Sequence, residues 1–123
     1  MTKIIKHNEF EDTYDDPDHP IPSLTHLEVC KILKGGGAVL AIVISQPLQP
    51  DAYSLNRLLG KIEAYLRYIL SDEFIEEAGD PNSSNTTIEV HIHPDSCKEA
   101  FILLDKSSTW VESNNASLKI TIL

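Results

Sequence analysis

Glu89, His91 and His93 stand two residues apart in Thr86–His93, where Ile88, Val90 and Ile92 take the alternate positions. A β-strand puts such a set on one face, with the apolar residues on the other. Two imidazoles beside a carboxylate can share a metal ion, yet zinc takes three or four protein ligands. His26, Glu28 and Cys30 alternate in an earlier segment and could complete the set if they share that face. The competing reading is a half-solvated strand with polar outward positions, and it is the one adopted, so no metal or other cofactor is expected.

Other groups fare similarly as chemistry. A thiol nucleophile at Cys30 or Cys97 needs a base in reach and an electropositive setting. Cys97 falls in the first turn of a helix but also on its apolar stripe, which favours a buried structural role. The pairs Asp15–Asp16, Asp72–Glu73 and Glu76–Glu77 could act as acid and base only if one carboxyl were buried or tightly coupled. A Pro-rich arm and a helix-end segment offer neither, so these acids read as a solvated surface and the chain as no enzyme. Arg57, Lys61, Tyr65 and Tyr68 recur at i, i+4, i+8 and i+11 and predict an exposed second stripe on a helix. Tyr and Arg are favoured as interface anchors, which makes Tyr65 and Tyr68 candidate partner contacts, against the competing reading that their rings lean on the sheet edge with the hydroxyls in water.

The scaffold for these residues is 123 residues long, a length for one domain. Apolar residues make up 41%, enough for a packed core, and the longest apolar run, 38–44, suits a strand and is too short for a membrane span. The opening residues lack the pattern of a secretory signal. Two cysteines without C-x-x-C spacing predict free thiols and a cytoplasmic protein. The formal charge of −9 is local. Residues 1–23 hold six acids against Lys3 and Lys6, and residues 71–80 hold Asp72, Glu73, Glu76, Glu77 and Asp80 with no base. The rest of the chain is neutral, with eight acids and eight bases. Both acidic segments would repel nucleic acid, which needs a basic footprint.

Periodicity then orders the elements. Residues 1–22 read as an acidic, proline-containing arm, with a short edge strand at Ile4–Ile5, and residues 23–123 as a single α+β domain. Leu24–Leu33 and Ala38–Ser45 read as a hairpin turned by Gly35-Gly36-Gly37, which supplies positive backbone angles. The second strand is apolar at almost every position, which predicts cover on both faces. Asp51 caps a helix reaching about Leu70, with Leu55, Leu58, Leu59, Ile62, Leu66 and Ile69 as its buried stripe. The acids from Asp72 to Asp80 then oppose the dipole of that helix's C-terminus, an arrangement that serves either a partner or solubility. After the strand Thr86–His93, Ser96-Cys97-Lys98-Glu99 has capping-box spacing. The helix it starts would bury Cys97, Phe101, Leu104, Ser108 and Val111, flanked by Ala100, Leu103 and Trp110. Asn114-Asn115 ends it, and Ala116–Leu123 forms a last strand. The order arm-β-β-α-β-α-β predicts a two-layer α+β sandwich, a mixed four-stranded sheet with two helices on one face.

The run Leu58-Leu59-Gly60-Lys61-Ile62-Glu63-Ala64-Tyr65-Leu66-Arg67-Tyr68-Ile69, followed by Ser71, Glu73, Pro81 and Ile88-Glu89-Val90, resembles a small uncharacterised bacterial protein family. The acidic arm of residues 1–22 departs from its pattern. Small acidic bacterial domains of this sort look like immunity proteins, and the resemblance implies neutralisation of a toxin with no catalytic residue to carry over. The leading expectation is a non-enzymatic cytoplasmic binding protein. Its contact would be Asp72, Glu73, Glu76, Glu77, Asp80, Asp15 and Asp16, with Tyr65 and Tyr68 as anchors. It would bind a protein, no nucleic acid and no membrane. The alternatives are a homodimeric assembly subunit and a metal-binding protein using Glu89, His91 and His93.

Overall fold

A computed structural model describes residues 15–123, so the strand expected at Ile4–Ile5 lies outside the described residues. The elements are β1 (Val29–Ile32), β2 (Ala38–Ile44), α1 (Ala52–Tyr68), α2 (Asp72–Ala78), β3 (Thr86–Ile92), α3 (Lys98–Glu112) and β4 (Ser117–Ile122). They form the expected two-layer α+β sandwich with one more helix than the sequence suggested. The sheet order is β1-β2-β3-β4, antiparallel between β1 and β2 and parallel for the other two pairs.

Register sets the core. Leu40 is level with Ile88, and Ile88 with Leu118, so Ala38, Leu40, Ile42 and Ile44 share a face with Ile88, Val90 and Ile92. That face is buried against Leu58, Ile62 and Leu66 of α1 and Ala100, Leu104 and Val111 of α3. The opposite face carries Val39, Ala41, Val43, Thr87, Glu89 and His91 and is partly open. Full cover on both faces of β2 is therefore corrected: Ala41 is buried there, but Val43 is 41% exposed.

Local chemistry explains where the elements stop. Asp51 caps α1 as expected, its Oδ1 accepting the Ser54 amide at 3.0 Å. The Ser54 hydroxyl, which donates to Oδ2 at 3.2 Å, is the main cause that holds the Asp51 carboxyl below its ordinary pKa, and the amide bond adds to it. Gly36 and Gly37 turn the hairpin at φ +103° and +86°, and the Gly37 amide donates to Ala78 O at 2.7 Å. The capping box is not formed. Ser96 Oγ instead accepts the Leu48 amide at 3.0 Å, and Cys97 stands at the N-cap without a side-chain bond. The buried stripe of α3 accordingly shifts to Ala100, Leu104, Ser107 and Val111, while Cys97, Phe101 and Ser108 are only partly covered. Asn115 ends the turn after α3 in the left-handed conformation, at φ 75°.

The segment from Asp72 is a helix in its own right. Ser71 Oγ accepts the Phe74 amide at 3.2 Å, and Phe74 and Ala78, four residues apart, are buried. Asp72 and Glu73 thus occupy the first turn of α2, where the helix dipole favours them. The expectation that they oppose the end of α1 is overturned.

Candidate functional site

Strand β1 was expected to begin at Leu24 but begins at Val29, because the chain before it is drawn away by α1. Lys61 is 2% exposed, and its Nζ donates to Ser23 O at 2.6 Å, His26 O at 2.7 Å and Glu28 Oε2 at 2.6 Å. These bonds hold the chain against α1 and so keep it out of line with β2. Tyr65, also 2% exposed, donates its hydroxyl to Ala41 O at 3.0 Å and accepts the Glu28 amide at 3.2 Å. Burial pushes the Tyr65 phenol well above its ordinary pKa. Where β1 has peeled away, the Glu28 carboxylate takes its place: Oε1 accepts the Val43 amide at 3.2 Å while Oε2 meets Lys61.

Residues 15–28 therefore run as a strap along α1. Arg57, 1% exposed, donates Nε to Ile21 O at 2.8 Å and lies 5.5 Å from the Tyr53 ring centroid. Ile21 and Leu24 enter the core at 2% exposure each. His19 is the strap's ring anchor. Its Nδ1 accepts the Ile21 amide at 2.9 Å, and Nε2 lies 2.7 Å from Ser54 Oγ. Burial, then the Arg57 charge, lowers the His19 pKa from its ordinary value. Tyr53 donates its hydroxyl to Asp16 at 2.8 Å, a bond that raises the Tyr53 pKa. Between the strap and the outer edge of β2 lies a cavity of ≈ 400 Å³, walled by Pro17–Ser23, His26 and Glu28 on one side and Ile42–Gln46 on the other, with Lys61 at its floor.

The expected exposed stripe on α1 is thus corrected: Arg57, Lys61 and Tyr65 are interior groups, and Tyr65 offers no surface to a partner. Tyr68 is half-buried, its ring 5.6 Å from that of Phe74, and burial, followed by Glu73, raises its pKa. Asp16 is tied to Tyr53, whereas Asp15 is exposed. Asp72, Glu73, Glu76, Glu77 and Asp80 are all exposed. Among the described residues, none of these five carboxylates forms an ion pair.

The strand histidines separate. Glu89 and His91 share the open face at 3.1 Å, with Lys119 3.9 Å from the same carboxylate. His93 lies past the end of β3 and accepts the Asp95 amide at 3.0 Å. Cys30 pairs with Leu40 and so takes the helix-side face, and Glu28 is spent on Lys61 and Val43, so neither joins the histidines. Among the described residues no three His, Cys, Asp or Glu side chains are placed to hold a metal ion. Cys30 is a poor nucleophile besides, since burial and then Glu77 push its thiol pKa up.

Nor is any described helix long and apolar enough to cross a membrane. Sheet order, one-sided core and a strap pinned by buried cations define a small α+β domain with an added N-terminal cover. Within that class the chain belongs to the DUF6572 family, a family of unknown function, which it matches over residues 26–123. The match takes in Glu28, Arg57, Lys61 and the acidic helix, and excludes His19 and Ile21. No curated protein and no solved structure matches the chain.

Proposed function

We propose that this is a non-enzymatic binding protein whose acidic helix α2 docks on the basic face of another protein. In its sharper form the proposal is an immunity-type inhibitor that neutralises a bacterial toxin in the cytoplasm. The observation that carries it is the placement of Glu76 and Glu77. They stand in the last turn of α2 with no basic residue there, where the dipole disfavours them. Each also follows another acid at i, i+4 (Asp72–Glu76 and Glu73–Glu77), repulsions of about 0.2–0.5 kcal/mol per pair. Phe74 and Ala78 hold the helix down by its other side, so the carboxylates are presented on an anchored ridge. Among the described residues no ion pair offsets their mutual repulsion, whereas a cationic partner would. Asp80 extends this ridge, Tyr68 flanks it, and Asp15 adds a separate exposed acid on the strap.

The test is reversal of Asp72, Glu73, Glu76 and Glu77 to lysine, co-expressed with a toxin whose growth arrest the unmodified chain relieves. Loss of growth rescue is expected in a variant that still unfolds cooperatively, its thermal midpoint lowered only by the lost dipole interaction of Asp72 and Glu73. Full rescue by the reversed variant would remove α2 as the contact. A second reading, a homodimer, is favoured by β4: it has no strand on its outer side among the described residues, and Ile120, Ile122 and Leu123 are exposed there. A monomer by light scattering at high concentration would eliminate it.

A further inference from the structure

We propose that His19 is a pH-operated latch: as a neutral ring it holds the strap over the outer edge of β2, and once protonated it releases the strap and opens that edge. The geometry requires the neutral ring. Nδ1 accepts the Ile21 N–H, so the ring proton must sit on Nε2, where it is donated to Ser54 Oγ. Ser54 Oγ in turn donates to Asp51 Oδ2 at 3.2 Å. A second proton on Nδ1 would face the Ile21 amide hydrogen head on, and the strap would lose this anchor.

The surroundings pull in both directions. The ring's burial, then Arg57 of α1, opposes protonation, while Asp16 of the strap, Asp51 at the α1 cap and, last, the Ile21 backbone favour it. Tyr53, the remaining ionisable neighbour on α1, packs edge-on against the ring at 5.4 Å and stays neutral. Asp18 adjoins His19 in the chain, and Lys61, His26 and Glu28 stand further along the cavity, the lysine and glutamate neutralising each other. Burial and Arg57 prevail, and the docked ring has a pKa below the ordinary 6.5.

The sign follows from linkage. A released strap binds a proton more readily than the docked one, so docking is fully supported above pH 6.5 and weakens as pH falls toward the lowered value. What opens is the stretch of β2 beyond β1, including Val43 and Ser45, together with the floor at Lys61.

Amide hydrogen exchange on the full chain reads the latch directly. Asp16, His19 and Ile21 donate their amides within the strap, to Pro22 O, Asp16 O and the His19 ring. Their protection, corrected for intrinsic exchange, is expected to fall up to about tenfold between about pH 7.5 and about pH 5.5, while the amides of Ile88 and Val90 hold theirs. In His19→Asn, whose amide oxygen accepts the same N–H without titrating, the ratio between the two pH values is expected to stay near one, whatever its starting protection. His26→Asn should keep the fall of the unmodified chain. A flat profile in the unmodified chain, or the same fall in His19→Asn, would overturn the proposal. So would a ring titration by NMR that placed the His19 pKa at or above 6.5.

Discussion

Arg57 and Lys61 carry long aliphatic stems, and burying the stems is favourable once the cationic tips find acceptors. Ser23 O, His26 O and Glu28 satisfy Lys61, and Ile21 O takes Arg57 Nε. Lys61→Met should therefore destabilise the fold by about 2–3 kcal/mol in urea titrations, because it strands two carbonyls and a carboxylate. Glu28→Gln, which keeps an acceptor for the Val43 amide, should cost less. These placements were not readable from spacing. A stripe at i, i+4, i+8 and i+11 shows which residues share a side of the helix, and the apolar stripe beside it had already claimed the buried one. The strap that covers the second side comes from 35 to 38 residues away in sequence, as the Lys61 and Arg57 bonds record. Hydrophobic pattern carries no trace of such long-range polar partners.

Strands and helices were far more legible, because their signals are local. Alternation in Thr86–Ile92, the periodic leucines of α1, the Asp51 cap and Asn115 all act within a few residues, and each lies where expected. Two elements were misjudged for the opposite reasons. Strand β1 lost its first half to side chains of α1, a tertiary effect. Helix α2 carried a local signal, Ser71 before acids with Phe74 and Ala78 four apart, that its overall acidity obscured. The glycine turn joins these elements and provides a sharp test. A methyl group on Gly37 would collide with the backbone carbonyl of Asn85, at a residue already at φ +86°, whereas one on Gly35 meets nothing. Gly37→Ala should cost more than about 2 kcal/mol by thermal unfolding. Gly35→Ala should fall within about 1 kcal/mol of the starting protein.

For the whole molecule, the formal −9 resolves into places with different roles. Asp16 is tied into the strap, and Asp72 and Glu73 suit the first turn of α2. Among the described residues the remaining exposed acids of the two acidic segments are Asp15 and Asp18 on the strap and Glu76, Glu77 and Asp80, the last three clustered at one end of the domain. If that end of the domain steers a basic partner, the association rate should fall steeply between low and physiological salt, while the dissociation rate changes little; stopped-flow mixing separates the two. A rate insensitive to salt would argue against charge steering. The Glu28 carboxylate has a further consequence at this scale. An open sheet edge invites the next chain to add itself, and the process has no natural end. By occupying the Val43 amide with a side chain, this protein closes part of one flank of its sheet without any additional strand. On that stretch of the flank, one carboxylate acts as a chain terminator.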